Sequence, residues 1–546
     1  LILSASLLPV AYCRLQKGFA MPASGGNLVG IDLGTTFSAI ATLDDHGLPV
    51  TLPNRDGEML TPSAVLIENG AAVVGQSALD VALEQPERVA TLIKRRMGHP
   101  VYGRPVAGRE FRPETLSAII LAKLVRDAEL RIGPVRRAVI TVPAYFDETR
   151  RKATQDAGRI AGLDVLDILD EPTAAALSYS FQPPRRAGEL VPDQVLPDEQ
   201  RTVLVYDLGG GTFDVTLVRL SHRRFQTLGI EGDVRLGGKD WDDRVMDHVA
   251  AQFQKQHGED PRGDPQSLAA LAAAAERAKR TLSKLGQTTI TCMHKGKVLT
   301  VPLTRAEFES LTRDLLVRTR LTTQQVLRHT GMTWEQVDRL LLVGGSTHMP
   351  MTGQMLKELS GKEPEHALAV SEVVARGAAI HAGIMASRQE EVGLVFDDSI
   401  RESLAQVVEI NVNSHSLGIE VKQQQDRIND ILIAKNTQLP TAASRVYRTV
   451  VENQQKVRVK VLQGEAHQAD ACISIGECWI EGLPANLPKY SPVQVRCGVA
   501  SNGLIDVMAL DMTSGKMARA SIHRSSGLTE EEIAREADWV RSLRIQ

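Results

Sequence analysis

The chain has 546 residues, 43% apolar and 24% charged, with a formal charge of −3; this is globular composition with room for roughly three domains, and it excludes a largely disordered chain. The near-neutral balance gives no electrostatic footprint for nucleic acid, and the basic run Lys94-Arg95-Arg96 is too short to build one. The cysteines, Cys13, Cys292, Cys472, Cys478 and Cys497, are odd in number and lack metal-ligand spacing, which argues against zinc and structural disulfides and for a reducing, cytoplasmic compartment.

The stretch Leu1 to Ala20 is apolar but short, begins without Met and has no basic residue ahead of its apolar run. Residues 1–27 are therefore expected to be a spurious upstream extension with Met21 as the start, a signal peptide being the alternative. No run of about 18 apolar residues occurs, so no spanning helix and no membrane partner are expected. From 28 to 390, short aliphatic strands such as Ala138 to Val142, Thr202 to Tyr206 and Leu340 to Val343 alternate with helical runs such as Pro113 to Leu130 and Asp147 to Ala161. That alternation predicts an α/β architecture.

Two strands end in the same kind of turn: Val29-Gly30-Ile31-Asp32-Leu33-Gly34-Thr35-Thr36, and Val205-Tyr206-Asp207-Leu208-Gly209-Gly210-Gly211-Thr212-Phe213-Asp214. In each, an acid closes the apolar run, small residues let backbone N–H groups approach an anion, and Thr hydroxyls add donors. A single copy reads equally as a capped turn. The pair suggests a duplicated fold, with lobe I over 28–205 and lobe II over 206–390, whose halves close on phosphates and Mg²⁺. Between them, Glu171 lies at a strand-to-helix junction with Pro172 at a first helical position, so its carboxylate should face the loop crevice. The segment Pro183 to Gln200, rich in Pro and charge, reads as an exposed insertion. On the helical run Leu268 to Leu285, Glu276, Lys279, Arg280 and Ser283 share one face, as an adenosine-holding stripe or a plain salt-bridge ladder.

After about Val392 the period changes to two, most clearly in Lys456 to Val461, predicting a linker over 391–412 and an antiparallel β-sandwich over 413–527. Asn502-Gly503 between two alternating runs marks a hairpin. Thr529 with Glu532 forms a capping box, opening one amphipathic helix within 528–546.

The phosphate turns, together with Leu169 to Ala176 (LDEPTAAA), Val343-Gly344-Gly345-Ser346-Thr347 and Leu462-Gln463-Gly464-Glu465, resemble the 70-kDa heat-shock chaperones of the DnaK type over roughly Val29 to Gly527. The resemblance implies an actin-like, RNase H-like duplicated ATPase domain followed by a peptide-binding β-sandwich. It implies ATP/ADP and Mg²⁺ as cofactors, and unfolded or extended polypeptides, J-domain proteins and nucleotide-exchange factors as partners. By the same resemblance Asp32 and Asp207 position the metal. Gly34, Thr35, Thr36, Phe37, Gly209, Gly210, Gly211, Thr212, Gly237 and Gly238 meet the nucleotide, and Lys94, Glu171, Thr212 and Asp214 serve hydrolysis. Glu276, Lys279, Arg280 and Ser283 form one wall for the nucleoside, and Gly344, Gly345, Ser346 and His348 the other. Pro143 and Arg151 resemble interdomain relay residues.

Several departures stand out. His348 replaces an arginine, Val370-Ser371-Glu372 replaces Pro-Asp-Glu, Lys422 stands where an apolar arch residue is usual, and Leu404 to Ile410 lacks the acid-flanked aliphatic pattern of the linker. The family's helical lid needs more than the single helix after Thr529, so a truncated lid and rapid peptide exchange are expected. Val446, Tyr447 and Val457 are candidates for the peptide pocket or plain sandwich core. A small-molecule kinase of the same superfamily and a nucleotide-binding scaffold with little hydrolysis are the rival readings. A P-loop ATPase is excluded, since no Gly-x-x-x-x-Gly-Lys-Ser/Thr run occurs.

Overall fold

The computed structural model describes residues 27–181, 200–366, 372–388, 398–481 and 483–546, apart from 222, 424, 425, 484, 501, 502, 504, 514, 516 and 522–526. Residues 1–26, 183–199 of the expected insertion, Val370, Ser371, residues 391–397 of the expected linker, Cys13 and Asn502 lie outside the described residues.

Two mixed sheets frame the described residues from Asn27 to Ile410. In one, the strands run in the order Pro49–Leu52, Phe37–Leu43, Asn27–Asp32, Val135–Val142, Asp164–Asp170. In the other, the order is Glu365–His366, Arg339–Val343, Arg201–Leu208, Phe213–Ser221, Arg224–Asp233, Val408–Ile410. Asn27–Asp32 and Arg201–Leu208 hold equivalent places: each pairs antiparallel with the next strand and parallel with a later one. Their middles, Leu28 to Ile31 and Val203 to Val205, carry no polar side chain and are buried, as strands covered on both faces require.

The helix Val373–Arg388 packs on Asn27–Asp32 and on the helix Glu171–Ser180, which also meets the second sheet. This crossing is close because it is lined by small residues. A Cβ on Gly377 would overlap the Ala174 carbonyl oxygen, and one on Gly30 would overlap the Ala379 backbone nitrogen. Ala174, Ala378 and Ala379 are buried there.

The β-rich part holds two four-stranded sheets, one ordered Asp426–Ile433, Leu417–Gln423, Lys456–Gln463, Ile473–Glu481 and the other Thr441–Arg448, Pro492–Val499, Ile505–Asp511, Met517–Ser521. The period-two pattern delivers Val459 and Val461 to a core shared with Leu417, Ile419, Val493, Val495, Cys497 and Val507. Gly503 has φ 79°, and Val499 faces Ile505 across the hairpin. Val446 is exposed, while Tyr447 and Val457 are partly buried on the core.

The C-terminal helix Glu530–Ser542 forms with its capping box. It packs on the helices Pro113–Ile132 and Glu148–Ile160, and Arg544–Ile545 pairs with Ala71–Val74. The cause is its apolar stripe: Ile533, Val540 and Leu543 complete the core of the first lobe, and Trp539 packs 5.4 Å from Phe111. Polar contacts from Arg112 to Glu532 (3.2 Å) and Thr115 to Glu536 (2.9 Å) flank that stripe.

Candidate functional site

The two glycine turns meet. A Cβ on Gly210 would collide with the Thr36 side chain, and one on Gly211 would lie 2.5 Å from Thr35 Cγ2, so only glycine lets the lobes approach this closely. Around the contact opens a cleft lined by Asp32, Gly34, Thr35, Thr36, Phe37, Lys94, Glu171, Asp207, Gly209, Gly210, Thr212, Glu276, Lys279, Arg280, Gly344, Gly345 and Ser346. Gly237 and Gly238 support the second turn from behind: Gly238 donates its N–H to the Gly209 carbonyl (2.9 Å), and a Cβ on Gly237 would lie 2.5 Å from the Gly211 nitrogen.

The floor is acidic. Asp32, Asp207 and Asp214 are carried on strands of the two sheets, and Glu171 opens a helix beside them. Lys94, 5% exposed on the short turn Ile93–Arg96, pairs with Glu171. Thr141 donates to Asp32 (3.1 Å), and the Tyr145 backbone N–H donates to Asp214 (3.0 Å). Burial pushes the Asp32 carboxyl up to about 7, with the Glu171 charge adding to the rise. Burial and Glu171 likewise hold Asp207 and Asp214 well above the usual carboxylate range.

Acids held in this state lack positive charge, which is what a divalent cation supplies, so the donor set fits Mg²⁺. Among the described residues no three His, Cys, Asp or Glu side chains converge as direct ligands.

A pH dependence follows. If Asp32 and Asp207 are to hold a cation they must be ionised, and burial raises both, Asp32 to about 7. Affinity for Mg-ATP is therefore expected to fall as pH falls, up to tenfold per unit for each acid that must give up its proton, with proton release on binding. Titration calorimetry in two buffers of different ionisation enthalpy measures that release.

The cleft continues outward along the helix Pro265–Lys284, past Lys279, Arg280 and Ser283 to His348, His366 and Glu372. Gly344 (φ 83°) admits no side chain, since a Cβ would lie 2.5 Å from Asp207 Oδ1. Ser346 donates to the Gly209 carbonyl (2.9 Å). Lys279 bonds the Gly238 carbonyl (2.9 Å) and Asp242 (2.8 Å), and Arg280 pairs with Glu276 (3.0 Å) and lies 5.5 Å over the Phe37 ring. The helix face expected as a salt-bridge ladder or a nucleoside wall thus carries the Glu276–Arg280 pair and lines the cleft. Ser283 turns its hydroxyl back to the Lys279 carbonyl (3.1 Å). His348 stacks on His366, ring centroids 5.5 Å apart.

From the floor a chain of contacts leads to the β-sandwich. Tyr145, whose N–H binds Asp214, lies between His415 (ring centroids 4.3 Å apart) and Lys435 (4.4 Å from the ring), and Lys435 pairs with Glu231 (2.8 Å). Gln463 accepts from the Glu148 backbone N–H (3.0 Å). Arg151 pairs with Asp170 and donates to the Ala144 carbonyl (3.1 Å), and Pro143 closes the turn by accepting from Phe146 N–H (3.0 Å). Sequence reasoning missed Tyr145, although it follows directly on Pro143-Ala144 at a strand end. It also missed Leu60 and Val374, which line the cleft as ordinary aliphatic residues without any local signal.

The Hsp70 protein family model matches residues 28–105 and 99–540. The chaperone protein DnaK of Halobacterium salinarum is 38% identical over 513 residues, covering 93% of this chain and 76% of that protein. The chaperone protein DnaK of Thermus thermophilus is 39% identical over 541 residues, covering 93% of this chain and 82% of that protein.

Proposed function

The chain belongs to the Hsp70 family, and from that premise we propose that it is an ATP-dependent molecular chaperone hydrolysing Mg-ATP in a duplicated, actin-like domain over 28–390. On this reading residues 391–412 link it to a sandwich over 413–527 that binds extended apolar segments of unfolded polypeptides. The single observation that carries the reading is the face-to-face contact of the two glycine turns above a buried set of acids with Lys94 among them.

Water attacks the γ-phosphorus while the bond from that phosphorus to the ADP oxygen breaks. Asp32, Asp207 and Glu171 would hold a divalent cation, which when bound would supply positive charge to the phosphate oxygens. The Lys94 ammonium stabilises the charge that develops in the transition state. Asp214 and the Thr212 hydroxyl orient the water, and Asp214, made more basic by burial, is suited to take its proton. The backbone N–H groups of the two turns hold the remaining phosphates.

Peptide would be gripped by backbone hydrogen bonds along a strand edge, a mode tolerant of sequence. The contacts through Tyr145, His415 and Lys435 support coupling of the two activities, and J-domain and exchange-factor partners suit that cycle. The free thiols of Cys292 and Cys472 suit a reducing cytoplasm, and among the described residues no helix is long and apolar enough to cross a membrane.

The test is phosphate release from Mg-ATP with no acceptor present, with and without an extended apolar peptide. We expect turnover that rises with peptide. Turnover only with a small-molecule acceptor would establish the kinase reading, and binding without turnover the scaffold reading.

A further inference from the structure

The strand Val408–Ile410 joins the edge of the second sheet in parallel with Arg224–Asp233, and so brings Glu409 into the protein. Its carboxylate is 7% exposed and meets the Nδ1 of His381 at 2.7 Å. The Nε2 of the same ring meets Asp167 at 2.9 Å. Thus one buried imidazole bridges three elements: the crossing helix Val373–Arg388, the strand Asp164–Asp170 of the first sheet, and the linker strand. Neither His381, Asp167 nor Glu409 belongs to the nucleotide cleft.

We propose that His381 is a proton-held latch for the linker: as an imidazolium tied to Asp167 it receives Glu409, and this ion pair makes docking of the linker strand depend on the charge of that ring. The proposal rests on the reading of the chain as a coupled two-domain chaperone and adds how the linker is held.

The argument is one of buried charge. The His381 Nδ1–Glu409 Oε2 contact is an ion pair without hydrogen-bond geometry, and Glu409 Oε1 has no hydrogen-bond partner among the described residues, so it is the charge of the imidazolium that compensates the carboxylate. A buried carboxylate without a partner is strongly unfavourable, whereas its pairing with a protonated ring is tolerated. The charged groups facing the ring are Asp167 on the strand beneath and Glu409 on the linker. Arg388, on the same helix, turns to the Val407 carbonyl, and Arg151 on a neighbouring helix is engaged by Asp170. The two carboxylates outweigh burial and raise the ring from 6.5 to about 10.

The sign follows from linkage. With the linker undocked, His381 keeps Asp167 but loses Glu409, so its pKa is lower than in the docked chain. Docking therefore takes up a proton in the window between that lower value and about 10. Docking is fully supported below the window and is lost as pH rises through it. Below that lower value the ring is charged in both states and contributes no pH dependence.

The experiment uses the full chain with a pair of dyes at the exposed positions Leu130 and Met517, reading docked against undocked populations by energy transfer from pH 7 to 10. His415 also sits at the interface, so the latch is read as the difference between wild type and the isosteric variants H381Q and E409Q. In wild type the docked-to-undocked ratio is expected to fall approaching tenfold per pH unit near pH 9. In either variant the fall is expected to be less than about threefold over the whole range. Parallel profiles for wild type and variants would overturn the latch. A nucleotide arm at pH 7.5 keeps the two readings apart: identical transfer with ATP and ADP would overturn ATP coupling, while the pH arms still decide on His381.

Discussion

Replacing Lys94 by Ala is expected to slow ATP hydrolysis about 10²–10³-fold while leaving nucleotide affinity within a few fold. The ammonium is the cation placed among Asp32, Glu171, Asp207 and Asp214, and it is nearly out of solvent. In such a setting a fixed charge stabilises developing negative charge far more than it would in water, and needs no reorganisation as the reaction proceeds. On the proposed reading its loss falls on the transition state, because the ground-state phosphates would also be held by the backbone of the two turns and by the cation. Single-turnover phosphate release separates the chemical step from product release. A rate unchanged by Lys94→Ala would remove the residue from the mechanism, and a proportional loss of affinity would make it a binding residue only.

Replacing Gly377 by Ala is expected to destabilise the chain by about 1–3 kcal/mol, read as a lower urea midpoint of the first transition. The added methyl overlaps the Ala174 carbonyl oxygen. That oxygen belongs to a helix backbone, so no side chain can swing aside. Either the helix Glu171–Ser180 shifts, moving Glu171 at its first residue, or Val373–Arg388 lifts from both lobes. Nucleotide affinity should therefore fall together with stability. Gly353, in the helix Pro350–Ser360, has open space where a Cβ would go. There the same change is expected to stabilise by roughly 0.5–1 kcal/mol. Equal effects at the two positions would mean that the close helix crossing is not what demands Gly377.

Most of the nucleotide cleft was legible because its chemistry is local in sequence. The turns at Asp32 to Thr36 and Asp207 to Asp214 each carry acid, glycine and hydroxyl within a few residues, and the structure brings them together. Lys94 was legible only by resemblance: a lysine in a basic run carries no sign that Glu171, far along the chain, will face it in the fold. The strands and the last helix were readable from their periods and the capping box at Thr529.

The docking face of that helix was not. Its stripe of Ile533, Ala537 and Val540 states that one side must be buried, but the partner is a pair of helices more than 350 residues earlier. The linker shows the same limit. Leu404 to Ile410 looked merely irregular, since the meaning of Glu409 depends on His381 and Asp167, which neither period nor motif connects to it.

The most direct test of the account is calorimetric titration of the full chain with ATP and with ADP, in Mg²⁺ and in excess chelator. The account predicts saturable, one-site binding of both nucleotides in Mg²⁺ and a marked loss of ATP affinity when the metal is removed. No heat with either nucleotide in Mg²⁺, from folded protein, would contradict the claim that the two glycine turns close on a metal-bound triphosphate.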